Sequence, residues 1–242
     1  MAAKPRVALD PVADLAGRLV RRGRPALRTI VIRWWSDHGL AVHPAAVGKR
    51  IALALVERPH ADAKLAGIVV LHELLVDQLR ASDLASFETL FATGALADDA
   101  AVDRFAIDVL GTLLERVRGR AEVARALAGW RLAGTTWQRR AACVAFTTIA
   151  AQGDAALPQL AKLIVSLCAA VVWSPERGEQ AAVGRLLREL SRADPACVEG
   201  FFRRYARLMS RACARRAVER LPAARQKELL AHWARATSLG GP

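Results

Sequence analysis

TTWQRRAACVAFTTIAAQGDAALPQLAKLIVSLCAAVVWSPERGEQAAVGRLLRELSRADP, residues 135–195, is the stretch from which the fold is read. Four helix-start signals punctuate it. Thr135 with Gln138 three residues later has capping-box spacing, in which a hydroxyl accepts one of the N–H groups that the first turn leaves unpaired. Asp154 is a further N-cap candidate. Ser174-Pro175 and Asp194-Pro195 each put proline where a first-turn N–H has no partner in the helix anyway. The four starts are 19, 20 and 20 residues apart. Between them, apolar residues recur with helical period; Val183, Leu186, Leu187 and Leu190 form one such stripe.

The same signals extend upstream. Asp10-Pro11 and His43-Pro44 mark earlier starts, and Asp98 lies 37 residues before Thr135, which leaves room for a helix pair. Val102, Phe105, Ala106, Val109, Leu110, Leu113 and Val117 make a second stripe, and alternating β-branched runs are missing. Two helices every 37–40 residues is close to the HEAT-type period. The expectation is an all-α chain, 1–242 as one domain: a curved right-handed solenoid of antiparallel helix pairs of the HEAT-like or ARM type. An irregular helical bundle is the alternative. In a solenoid every second helix lines the concave side. The helices beginning near Asp98, Thr135 and Ser174 then share one layer, which carries Asp99 and Asp103, Arg139 and Arg140, and Arg185 and Arg188. A carboxylate facing a groove walled by arginines suits a nucleic-acid backbone.

Composition narrows the class. The 242 residues are 53% hydrophobic, 24% charged and 5% aromatic, which excludes collagen, low-complexity and disordered chains. The longest apolar stretch, Leu163 to Trp173, is too short for a bilayer, and MAAKPRVALD has no apolar signal region, so a cytoplasmic protein without membrane contact is expected. Lys and Arg total 36 against 23 Asp and Glu, for a net charge of +13. Lysine occupies only five positions, so 31 of the cations are arginine. That excess points to a polyanion partner, since guanidinium grips phosphate with two hydrogen bonds; a GC-rich genome would produce the same bias. Cys143, Cys168, Cys197 and Cys213 show no C-x-x-C and no zinc spacing, and read as small buried hydrophobes in a reducing compartment. His72-Glu73-Leu74-Leu75-Val76 begins like a zincin helix but lacks the second histidine. No P-loop, G-x-G-x-x-G or G-x-S-x-G occurs, and no metal or cofactor is expected. The Trp34-Trp35 pair and Trp130 are either contact points of a protein-interaction scaffold or core residues.

Three passages resemble the AlkD-type DNA alkylation repair proteins, glycosylases built from HEAT-like repeats. The first runs Asp99-Ala-Ala-Val-Asp103-Arg-Phe-Ala-Ile-Asp-Val-Leu-Gly111. The second is Trp137-Gln-Arg-Arg140-Ala-Ala, and the third is Val183-Gly-Arg-Leu-Leu-Arg188-Glu189 followed by Asp194-Pro195. The resemblance runs from about Ala61 to Leu221, and the first 40 or so residues match less clearly. It implies a monofunctional glycosylase that hydrolyses the N-glycosidic bond of cationic alkylated purines such as 3-methyladenine, 7-methylguanine or bulkier adducts. The protein would be monomeric and would act on duplex DNA without base flipping. Asp103 matches the family's catalytic aspartate. Arg140 matches the arginine that contacts the backbone near the lesion. Arg139, Arg185 and Arg188 would add DNA contacts, and Asp99, Asp103 and Arg185 would face the lesion. Two aromatic groups of the family are replaced, one by Asp99 and one by Arg185. The chain is therefore either an active enzyme with a remodelled groove or a DNA-binding paralogue that has lost base excision.

Overall fold

The computed structural model describes residues 10–22, 26–116 and 119–238, and their regular structure is entirely helical. Val117 of the second apolar stripe and residues 1–9 of the N-terminal stretch lie outside them. The chain divides into two compact units, Met1–Val109 and Leu110–Pro242.

The first unit holds α1 (Pro11–Arg22), α2 (Leu27–Asp37), α3 (Ala45–Val56), α4 (Ala61–Val69), α5 (Leu84–Ala92) and α6 (Asp99–Phe105). α1 packs on α2, α3 and α4, and α4 also meets α6. α3 and α4 approach closely at Gly67, where an added Cβ would sit 2.5 Å from the carbonyl oxygen of Ala52. Trp34 and Trp35 are buried, so this pair belongs to the core. The Trp34 indole N–H donates to Asp14 at 2.8 Å. α6 is fastened by Phe105, fully buried, whose ring meets Phe87 and Phe91 of α5 edge-on at 5.2 and 6.1 Å.

Two π-helical segments interrupt the regular helices, the second of them running across the boundary at Val109. Val70–Leu74 follows α4 and Ala106–Gly111 follows α6, so the apolar stripe expected as one helix is re-phased after Phe105. The two are tied together: His72 Nδ1 donates to the carbonyl oxygen of Asp108 at 2.7 Å, which fixes the proton on that ring nitrogen. His72 is thus in use as a backbone anchor beside Glu73, whose carboxylate takes both nitrogens of Arg28.

The second unit holds α7 (Thr112–Arg116), α8 (Arg120–Gly129), α9 (Thr136–Phe146), α10 (Leu160–Val171), α11 (Arg177–Leu190), α12 (Pro195–Tyr205), α13 (Arg211–Val218) and α14 (Ala223–Ser238). Alternate helices form two rows. α8, α10 and α12 pack in one, and α11 lies between α9 and α13 in the other. Small residues let the second row close up. A Cβ on Gly184 would stand 2.8 Å from the carbonyl oxygen of Cys213, and Ala141, Ala142, Ala145, Ala214 and Ala217 are all buried. Trp130 is buried in this unit's core. Cys143, Cys168 and Cys213 are buried and Cys197 is half-buried; all four are free thiols. Burial pushes all four thiols upward, Cys213 to about 12.

Most of the expected starts are capped. Asp10, Asp98, Thr135 and Asp194 accept from the N–H groups of Val12, Ala101, Gln138 and Cys197 at 2.8–3.2 Å. Pro44 lies at the N-cap position of α3 instead of its first turn. Two starts come later than the spacing suggests. α11 begins at Arg177, because Ser174 spends its hydroxyl on Glu179 and on the N–H of Glu176. α10 begins at Leu160, six residues past Asp154. Gly153 takes a left-handed φ of 56°, and Pro158 disfavours helix at Leu157 before it. Asp154 still reaches the N–H of Ala161 at 3.3 Å.

Candidate nucleic-acid interface

The first unit carries the two carboxylates of α6. Asp98 caps the helix, and Val102 and Phe105 turn inward. Asp99 is consequently exposed, and Asp103, four residues on and therefore on the same face, is half-buried. Both carboxylates are engaged in interactions within the protein. Arg104, on the neighbouring face, pairs with Asp108. Asp103 is therefore held by a short helix whose other end is locked by an aromatic cluster and by the His72 hydrogen bond.

The second unit carries the arginines of α9 and α11. Arg139 is built into the fold. Its Nε and Nη2 meet both oxygens of Glu179 at 2.6 and 3.3 Å, and Nη1 donates to the carbonyl of Ala133 at 2.7 Å. Glu179 is 1% exposed, so this is a buried, forked ion pair. Removing either partner would strand a charge away from water. Arg139, 22% exposed, is thus already paired within the fold. Arg188 is similarly occupied. It pairs with Glu189 at 2.5 Å, and its buried Nε lies 3.2 Å from Glu219 of the loop after α13, without the alignment of a hydrogen bond. Glu189 also meets Arg220, so the ends of α11 and α13 are pinned by charge.

Arg140 and Arg185 are likewise engaged in interactions within the protein. Arg140 is half-buried, with its guanidinium 6.0 Å from the centre of the Trp137 ring, a cation–π arrangement one helical turn apart. Its Nη1 lies over Gly178, where a Cβ would stand 2.7 Å away. Glycine at the second residue of α11 thus admits the Arg140 side chain. Arg185, half-buried, lies on α11 between the inward-facing Gly184 and Leu186.

Sequence reasoning missed the polar groups that set these helices in register. Glu179 joins Arg139 on one side and the Ser174 hydroxyl on the other. Gln180, also buried, donates to the carbonyls of Val172 and Leu208 at 2.6 and 3.0 Å and accepts from the N–H of Ser210 at 3.1 Å. Three inter-helix connections are bound together in this way. The partners in three of these contacts, Arg139–Glu179, Gln180–Leu208 and Gln180–Ser210, are 28–40 residues apart, so no local signal could have found them.

Among the described residues no group of three or more His, Cys, Asp or Glu side chains could hold a metal ion, and no helix is long and apolar enough to cross a membrane. Residues 23–221 match a family model described as DNA alkylation repair enzyme. The match ends where the motif resemblance ends and starts nearly forty residues earlier, so it takes in α2 and α3 but not α1. No curated protein matches the chain.

Proposed function

The chain belongs to the DNA alkylation repair enzyme family, and from that premise we propose that it is a monofunctional glycosylase releasing cationic alkylated purines from duplex DNA. An N3- or N7-alkylated purine already carries a positive charge. Its C1′–N bond breaks with the electron pair going to the base, which leaves neutral, so no general acid is required. The deoxyribose becomes oxocarbenium-like, and a fixed anion stabilises that charge. Water adds at C1′ and gives up one proton. Asp103 supplies the anion. Arg140 and Arg185 bind the sugar-phosphate backbone, and Arg139 and Arg188 hold the helices that carry them. The alternating rows of α8–α13 are read as HEAT-like pairs that present α9, α11 and α13 to the DNA, with the lesion remaining in the duplex.

The observation that carries this reading is the half-buried Asp103 at the family's acidic position, on a helix fixed at both ends. A second reading rests on Asp99 and Arg185, charged groups at positions where the family places tryptophan: a paralogue that binds DNA without excising a base. Methylated duplex DNA separates the two. The glycosylase reading expects free 3-methyladenine or 7-methylguanine from the wild type and none from Asp103→Asn. DNA binding without release, across methyl and bulky adducts alike, would leave the second reading standing.

A further inference from the structure

Trp173 is 67% exposed, although its chain neighbours are among the most firmly held backbone in the second unit. The Val172 carbonyl accepts from buried Gln180, and the Ser174 hydroxyl is bound to buried Glu179. The indole is therefore presented to solvent from a rigid mount. Leu132, 77% exposed, has the same setting one connection earlier, since the carbonyl of Ala133 beside it is gripped by Arg139. The Arg139–Glu179 pair links the two connections, and Gln180 links the second to the one before α13.

The charge along this edge is one-sided. With the Arg139–Glu179 pair set aside, residues 130–140, 172–180 and 206–211 carry Arg131, Arg140, Arg177, Arg207 and Arg211 against one acid, Glu176. An exposed indole on connections whose sequences carry five arginines against one acid matches a nucleic-acid strand, which offers phosphates to the cations and flat base faces to the aromatic. An intact duplex covers its base faces by stacking. A rigidly mounted indole finds a partner only where a base has lost a neighbour.

We propose that Trp173 is a DNA-contacting residue that stacks on an unstacked base, so that this edge selects duplex DNA with a local distortion over intact duplex. The proposal rests on DNA being the partner and adds a specificity-determining residue to it. Trp173 is outside the three passages that carry the family resemblance.

The test compares a duplex carrying a single-nucleotide bulge with a fully paired duplex of the same length. Binding is followed by fluorescence anisotropy of labelled DNA at several salt concentrations. Wild type is expected to favour the bulge. Trp173→Ala should lose roughly tenfold or more on the bulged duplex and little on the paired one. Its salt slope should stay unchanged, because no phosphate contact is lost. Trp173→Phe should restore most of the affinity. The side chain is exposed, so both variants should melt like wild type. Equal affinity of wild type and Trp173→Ala for the bulge overturns the proposal while DNA binding stands. Absence of binding by the wild type to either duplex overturns the underlying reading with it. A wild-type dimer that becomes monomeric in Trp173→Ala, measured by sedimentation, assigns the indole to a self-interface and also overturns the proposal.

Discussion

Adjacent arginines on α9 do different work. Arg139 and Arg140 differ by one position, about 100° around a helix, and that rotation separates a buried ion pair from a half-buried cation over Trp137. The two should respond differently to alanine. Arg139→Ala leaves Glu179 uncompensated and should cost about 3–5 kcal/mol in denaturant unfolding, with no change in the salt slope of DNA binding. Arg140→Ala should cost less stability than Arg139→Ala and lower that slope by about 0.9. The opposite pattern would make Arg139 the phosphate contact.

At the scale of elements, α9, α11 and α13 are held by close approach as well as by charge. Gly184 is the tightest point of the α11–α13 contact, with the backbone of Cys213 where a side chain would stand. Gly184→Ala should destabilise by about 1–3 kcal/mol, the usual cost of forcing packed backbone apart. Gly129, at the end of α8, meets nothing within 4 Å and has helical dihedrals. Gly129→Ala should therefore stabilise by about 0.4–1 kcal/mol, because alanine lowers the entropy of the unfolded chain. Chemical denaturation of the two variants measures both signs in one assay.

At the scale of the whole molecule, a chain of net charge +13 is expected to lose cohesion in acid as its carboxylates are neutralised. One carboxylate can be named. Burial raises the Asp14 carboxyl, but the Trp34 indole N–H, Arg18 and His38 outweigh it and hold the group below its ordinary value. A depressed carboxylate contributes stability that is complete above its unfolded value and is lost as pH falls through its lower folded one. Wild type should therefore lose more stability than Asp14→Asn between neutral pH and the carboxylate range, and the two curves should converge below it. Parallel curves from thermal melts across that range would remove Asp14 from the acid response.

The helices and most of their caps were legible in the sequence because both depend on neighbours within a turn. Val183, Leu186, Leu187 and Leu190 are all buried, and Asp98, Thr135 and Asp194 cap the helices they precede. The face that Asp99 and Asp103 share on α6 follows for the same reason, since four residues make about one helical turn. What the sequence by itself determined is thus the class of element, its polarity and the family. The π segments, the late starts of α10 and α11, the separation of Arg139 from Arg140 and the exposure of Trp173 were decided by tertiary structure. Each depends on a partner distant in the chain, such as Glu179 for Arg139 or the Asp108 carbonyl for His72. A buried charge or a strained backbone is stable only when such a partner arrives, and linear spacing carries no record of which residue that will be.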